Sequence, residues 1–238
     1  MKNRILPVLA AAALAALPGI AQADVITLGN SDLNKSFTVD YNGYTGSGAI
    51  DGLASQIVFT LTGTTATSYT LGYAVTNTSG APITDSRVSG FGFNTDPTIS
   101  GASSTGTYSV TALNSNVPNV GSVDVCFKGG GGTNSCAGGG GGGVGLGDSG
   151  SGTLTLSFAS PITSLTLSDF FARYQSISGA GATTSAVGSG TISTSSGGSS
   201  SGGTPVPEPG MFGLFALGVG ALMLRRRRPS SAPQFVAA

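Results

Sequence analysis

The chain of 238 residues contains no histidine and no tryptophan, and only 8% of its residues are charged. The absence of histidine excludes a Ser-His-Asp triad, because that mechanism needs histidine as its general base. The sequence Gly147-Asp148-Ser149-Gly150 therefore does not mark a nucleophilic serine. Two cysteines without histidine also supply too few ligands for a structural zinc site. The sequence thus assigns no catalytic residue, no metal ligand and no cofactor.

Basic residues are scarce in the long middle part of the chain, residues 24–204. Nine aspartates stand there against Lys35, Arg87, Lys128 and Arg173, which gives a net charge of −5. An acidic segment with four scattered cations lacks the basic patch that nucleic-acid binding requires. We therefore expect no nucleic-acid partner.

Sustained helical periodicity is also lacking, and the middle part instead alternates apolar and polar residues with period two. This alternation is typical of half-buried antiparallel strands separated by Gly, Asn, Asp and Ser turns. The candidate strands are 25–28, 36–41, 57–61, 69–75, 88–93, 108–112, 123–127, 154–158 and 165–167. We predict an all-β body, residues 24–178, folded as an antiparallel β-sandwich or a jelly-roll-like pair of sheets.

Residues 179–204 consist almost entirely of Ser, Gly, Thr and Ala. A segment of this composition buries too little apolar surface to order itself, so we predict a flexible Gly/Ser-rich linker. Ile177, Val187 and Ile192 leave room for one last edge strand.

The N-terminus has the parts of a secretory signal peptide. Lys2 and Arg4 precede an apolar stretch, and Ala21-Gln22-Ala23 is a small-x-small cleavage site. We predict that signal peptidase removes residues 1–23 and that the mature chain begins at Asp24. In an exported chain the oxidising environment favours pairing of Cys126 with Cys136, so we predict a disulfide.

The C-terminal segment, residues 205–228, has three parts in order. Pro207-Glu208-Pro209 cannot be regular helix, because proline fixes φ and lacks an N–H. The apolar run 211–224 would span about 21 Å as a helix, against a bilayer core of about 30 Å. The cluster Arg225, Arg226, Arg227 and Arg228 would stay on the cytoplasmic side. We predict one short transmembrane helix that holds a precursor in the inner membrane, followed by a tail, residues 229–238.

This order of parts resembles the PEP-CTERM sorting signal of Gram-negative, polysaccharide-producing bacteria. The resemblance covers residues 206–228. It implies that an exosortase, a membrane cysteine protease, recognises Pro207-Glu208-Pro209 and removes the segment that follows. An ordinary C-terminal anchor is the alternative interpretation.

A narrower resemblance extends over the body. The stretches 38–44, 90–97 and 171–176, with Cys126-Phe127 and with Cys136 before the glycine run 138–143, are similar to the cistern subgroup of PEP-CTERM proteins. This resemblance implies a shared body with a cysteine pair around a glycine-rich stretch. It implies no known activity.

Three features of the body admit two interpretations each. Calcium takes oxygen ligands and could use aspartates near predicted turns, although turn capping explains them as well; these are Asp40, Asp51, Asp85, Asp96, Asp148 and Asp169. The aromatic residues Phe170, Phe171 and Tyr174 could form a platform for sugars, but core packing is favoured. The run 138–143 is either a mobile surface loop, which is favoured, or a backbone-lined binding loop or close-packed polyglycine layer, since no side chain blocks approach.

These observations predict a non-enzymatic protein of the cell surface or extracellular matrix, with a structural or adhesive role in a polysaccharide layer. A glycan- or calcium-binding extracellular β-module is the alternative. A glycosidase that uses two aspartates is a more remote one, since that mechanism needs no histidine.

Overall fold

The computed structural model describes residues 24–131, 135–137 and 141–195. These residues form twelve β-strands and two short 3₁₀ helices, Asn30–Asp32 and Gly106–Tyr108. The strands are β1 Ile26–Gly29, β2 Ser36–Thr45, β3 Gly48–Thr65, β4 Ser68–Thr76, β5 Asp85–Asp96, β6 Gly101–Ser104, β7 Val110–Val117, β8 Gly121–Lys128, β9 Val144–Gly145, β10 Ser149–Ser157, β11 Ser164–Ser178 and β12 Ser185–Ser195. The all-β prediction is confirmed, and each candidate strand overlaps an observed one.

The described strands join into one antiparallel sheet. Its order is β6-β10-β4-β3-β2-β12-β11-β5-β8-β7, with β1 paired to β11 and β9 paired to β5. The two end strands, β6 and β7, contact each other without pairing, so the sheet is nearly closed on itself. The predicted pair of sheets is thus one continuous sheet whose opposite walls face each other.

The main core lies between these walls. On β4 the alternation places Tyr69 and Tyr73 inside, where both are buried. Phe59 of β3 meets aromatic rings from the opposite wall, with ring centroids 5.8 Å from Phe91 and 6.2 Å from Phe170. Such ring pairs add about 0.5–1.5 kcal/mol each beyond the area that they bury. The period-two pattern therefore produces strands because strands such as β3 and β4 bury one face in this aromatic core.

The structure corrects the predicted boundary between body and linker. Residues 185–195, part of the predicted linker, form β12. This strand is not an edge strand, because it pairs with β2 on one side and with β11 on the other. The body therefore continues at least to Ser195, and residues 196–204 lie outside the described residues.

Crowding explains why such a central strand is built from small residues. A Cβ on Gly188 would lie 2.7 Å from the Asn42 carbonyl oxygen and 2.9 Å from Cε2 of Tyr174. A Cβ on Gly190 would lie 2.6 Å from Cβ of Phe170. Large side chains on the neighbouring strands occupy the space over β12, so glycine is required there. The composition that predicts a linker is here a consequence of close packing.

Candidate functional site

The predicted disulfide is present and anchors the connection between β8 and β9. Cys126 lies on β8, and its Cα atom is 6.4 Å from that of Cys136. The backbone N–H of Cys136 donates to Ser115 Oγ on β7 at 3.0 Å. Lys128 Nζ donates to the Ser135 carbonyl oxygen at 2.8 Å. The connection is therefore tied to the sheet by the disulfide and by hydrogen bonds that include those of Cys136 and Lys128.

Both cysteines belong to a second apolar cluster on the face of the sheet opposite to the main core. Gly92 shows this placement. Its neighbours in sequence, Phe91 and Phe93, lie in the main core, so Gly92 faces the other side of the sheet. A Cβ on Gly92 would instead lie 2.6 Å from Cε1 of Phe171 and 2.8 Å from Cβ of Cys126. The buried members of this second cluster are Ala112, Val117, Val123, Cys126, Cys136, Phe171 and Val187. The cluster joins the β7–β8 hairpin to β11 and β12.

Residues 129–143, here called the glycine loop, close at their two ends by backbone packing. A Cβ on Gly129 would lie 2.6 Å from the carbonyl carbon of Gly142, and a Cβ on Gly142 would overlap the carbonyl group of Gly129. At Gly142 and Gly143 the backbone is therefore close-packed, whereas a Cβ on Gly141 would meet no atom within 4 Å. Residues 138–140 lie outside the described residues.

Two partly or fully buried cations lie on either side of β5. Lys128 and Arg173 are on strands that flank β5, and both pair in register with Gly90. Burial lowers the pKa of the Lys128 ammonium and that of the Arg173 guanidinium. Arg173 donates from Nη1 to the carbonyl oxygen of Ala186 at 3.0 Å, which ties β11 to β12. These observed hydrogen bonds assign both side chains a structural role.

The turn aspartates do not converge on a common point. Within residues 24–131, 135–137 and 141–195, no group of three or more His, Cys, Asp or Glu side chains could hold a metal ion. Asp40 instead accepts a hydrogen bond from Gln56 Nε2 at 2.8 Å. Asp169 accepts one from Asn94 Nδ2 at 3.0 Å. The geometry thus gives the calcium interpretation no support.

The aromatic residues that follow one another on β11 are buried instead of forming an exposed platform. Phe170 packs in the main core, and Phe171 packs in the second cluster on the other face. Tyr174 is also buried, and its hydroxyl is 2.7 Å from Ser55 Oγ. The favoured core-packing interpretation is therefore correct.

A long-range contact joins a predicted processing residue to the last strand of the body. Asp24, the predicted first residue of the mature chain, accepts a hydrogen bond on Oδ2 from the backbone N–H of Ile192 at 2.9 Å. The two residues are 168 positions apart, so no local pattern could reveal the contact. It fixes the beginning of the body to its last strand. Ala21 and Ala23 lie outside the described residues.

The sorting residues Pro207, Glu208 and Pro209 and the four arginines also lie outside the described residues. Among the residues that the structure does describe, no helix is long and apolar enough to cross a membrane. A family model described as PEP-CTERM protein-sorting motif matches residues 205–228. A comparison with curated proteins and one with solved structures found no match.

This motif implies an exported protein that begins as a membrane-anchored precursor. The chain carries, more particularly, a PEP-CTERM sorting motif, as predicted, and this motif implies processing by an exosortase, a membrane protease. The match covers the sorting segment alone. Membership of the cistern subgroup therefore stays a prediction.

Proposed function

We propose that this protein is a non-enzymatic component of the cell surface or extracellular matrix, with a structural or adhesive role in a polysaccharide layer. The observation that carries the proposal is the sorting-motif match at residues 205–228, which follows a β-body that reaches at least to Ser195. A chain built in this way is delivered through the membrane and then separated from its tail. The delivered product is the β-body.

The surface of the body supports this role. The outer face of the wall formed by β2, β3, β4 and β10 carries rows of hydroxyl groups that bond to one another across strands. The oxygen–oxygen distance is 2.7 Å for Ser36 and Thr60, and 3.1 Å for Thr70 and Thr155. Such cross-strand pairs stabilise a sheet. These hydroxyl groups also suit contact with a hydrated polysaccharide, because each can both donate and accept a hydrogen bond.

The disulfide and the near closure of the sheet support the same role. A cross-link formed in an oxidising compartment restricts the unfolded chain. Near closure leaves few unpaired strand edges at which copies could aggregate. Both features favour a body that persists outside the cell.

Replacement of Glu208 by alanine tests the processing on which the proposal depends. In the native host, we expect wild-type protein to be released with a mass that lacks Arg225 to Arg228, and Glu208→Ala protein to stay in the membrane fraction with its tail. Intact-mass measurement of both fractions gives the answer. Gln234→Ala, a change beyond the arginines, is the control and should be processed as wild type. Unaltered size and location of the Glu208→Ala protein would contradict the proposal.

A second measurement tests the role of the released body. The extracellular matrix of cells that lack this protein should lose mechanical cohesion or surface attachment, and expression of the wild-type chain should restore it. Expression of the Glu208→Ala chain should not. A matrix that keeps its cohesion without the protein would exclude a structural or adhesive role.

A further inference from the structure

A cleft of about 370 Å³ lies at one end of the body, between the β2–β3 hairpin and the β11–β12 turn. Its volume is at the lower end of the range of about 300–1,000 Å³ that is usual for small-molecule sites. Its lining comes from three separate segments of the chain, 45–51, residue 82 and 179–183.

The walls of the cleft are fixed to one another by backbone contacts. The N–H of Gly80 donates to the carbonyl oxygen of Gly52 at 2.8 Å. A Cβ on Gly52 would lie 2.7 Å from the Ala81 carbonyl oxygen, so only glycine permits this approach. On the other wall, a Cβ on Gly179 would lie 3.0 Å from Cα of Ile83. Both walls thus pack on the segment 80–83, and the cleft exists before any ligand binds.

The chemistry of the lining selects a neutral, hydroxyl-bearing ligand. Asp51 supplies a carboxylate, and Thr45, Ser47 and Thr183 supply hydroxyl groups. A carboxylate accepts hydrogen bonds from sugar hydroxyls, and hydrogen bonds to charged groups are among the stronger ones in proteins. The single ionisable group among the lining residues is thus negative, which disfavours an acidic ligand. Ile50 and Pro82 add apolar surface for the C–H faces of a sugar ring.

The cleft lies far from the point at which the chain continues toward the sorting motif. The last strand ends at Ser195, which pairs with Phe37 at the beginning of β2. The cleft lies beyond Thr45, at the other end of β2. Eight residues of strand separate these ends by about 26 Å. A ligand in the cleft therefore does not contact the end of β12 at Ser195.

We propose that this cleft binds a neutral saccharide, the end or a short branch of a glycan, with Asp51 and Thr183 as hydrogen-bonding residues. The inference rests on the proposed function and deepens it, because it identifies the part of the body that contacts the polysaccharide and the class of sugar.

A titration of the protein purified from the exporting cells tests the inference. The probes are neutral gluco- and manno-oligosaccharides of two to six units, and an oligogalacturonate as the acidic comparison. We expect a neutral probe to shift the NMR signals of residues 45–51 and 179–183, and the acidic probe to bind at least about tenfold more weakly. Asp51→Ala should lower the affinity at least about tenfold, and Thr183→Val, which keeps the shape, by a smaller factor. Asp96→Ala, an exposed aspartate at the opposite end of β5, should bind as wild type.

Each remaining outcome overturns the inference: no response of the cleft signals to any probe, equal affinity for the acidic probe, or unchanged affinity of Asp51→Ala. Folding of the variants is checked by their otherwise unchanged spectra. The processing assay is independent of this titration. If Glu208→Ala is released normally while the cleft binds sugar, the proposed function fails and the cleft assignment stands.

Discussion

The last strand, β12, and the two described ends of the glycine loop both contain glycines that the fold requires, but for different reasons. In β12, glycine is needed because side chains of the neighbouring strands, such as Tyr174 and Phe170, fill the space above it. In the glycine loop, glycine is needed because backbone packs on backbone at Gly129 and Gly142. A disulfide secures the loop, whereas strand pairing on both sides secures β12. Abundant glycine in a sequence therefore marks close approach as well as freedom.

The largest effect should come from a side chain added in the middle of β12. Gly188→Val places methyl groups against the Asn42 carbonyl and the Tyr174 ring, where there is no room. We expect the free energy of unfolding to fall by about 3 kcal/mol or more, because overpacking here also breaks a central strand. Urea denaturation measures the loss.

The matched control is Gly80→Val, since a Cβ on Gly80 meets no atom within 4 Å. That variant should change stability by less than about 0.5 kcal/mol, as exposed substitutions usually do. Equal stability of the two variants would show that β12 does not have the crowded central position described above.

Removal of the disulfide should destabilise the glycine loop and the β7–β8 hairpin. The double variant Cys126→Ala with Cys136→Ala should lose about 2–3 kcal/mol, the value expected for a loop of this length. Hydrogen exchange should accelerate in the β7–β8 hairpin and the glycine loop, while β12 keeps most of its protection. Reduction of the wild-type protein should reproduce this result, and the same reductant should leave the double variant unchanged. Loss of protection in β12 alone would contradict the prediction that the disulfide secures the glycine loop and that strand pairing secures β12.

The parts of the fold that sequence predicts are those with a local pattern. Strands such as β4 alternate large apolar and polar residues along one short segment, and this period is visible without neighbours. The sorting motif is likewise defined by the order of its parts along the chain. The family match at residues 205–228 therefore agrees with the segment predicted from proline, apolar length and arginine.

The parts that sequence does not predict depend on distant residues. β12 is a strand because of what β2 and β11 place around it, and β9, at Val144–Gly145, is too short to show any period. The cleft gathers three segments that only the folded sheet brings together. The alternation of apolar and polar residues along one segment does not show which distant segments will contact it.

Alkaline pH should lower the free energy of unfolding, in part through tyrosines that pack against β12. Burial raises the pKa of Tyr41 and Tyr174, whose side chains pack around Gly188, and that of Tyr108 in the main core. Since the folded pKa is above the unfolded value of 10.0, the stability is complete below that pH and is lost as the pH rises. Each such tyrosine removes about 1.4 kcal/mol per pH unit above its unfolded pKa.

Denaturation midpoints measured at increasing pH, with phenolate absorbance recorded in parallel, check this prediction. The Tyr174→Phe variant is the control: it begins less stable, because it loses the contact with Ser55, but its stability should fall less steeply with pH. If the stability of Tyr174→Phe falls with pH as steeply as that of the wild type, Tyr174 is not one of the buried tyrosines that lose a proton on unfolding.

The smallest effect should come from the contact between the first and last segments of the body. Asp24→Ala removes the acceptor for the Ile192 N–H, and we expect a loss of about 1 kcal/mol together with faster exchange at Ile192. Asp24→Asn keeps an acceptor oxygen and should lose less, while Asp96→Ala should leave Ile192 unchanged. Mass analysis must first establish that each variant begins at residue 24. If Ile192 exchanges equally in all of them, strand pairing alone holds β12, and the difference between β12 and the cross-linked glycine loop becomes sharper.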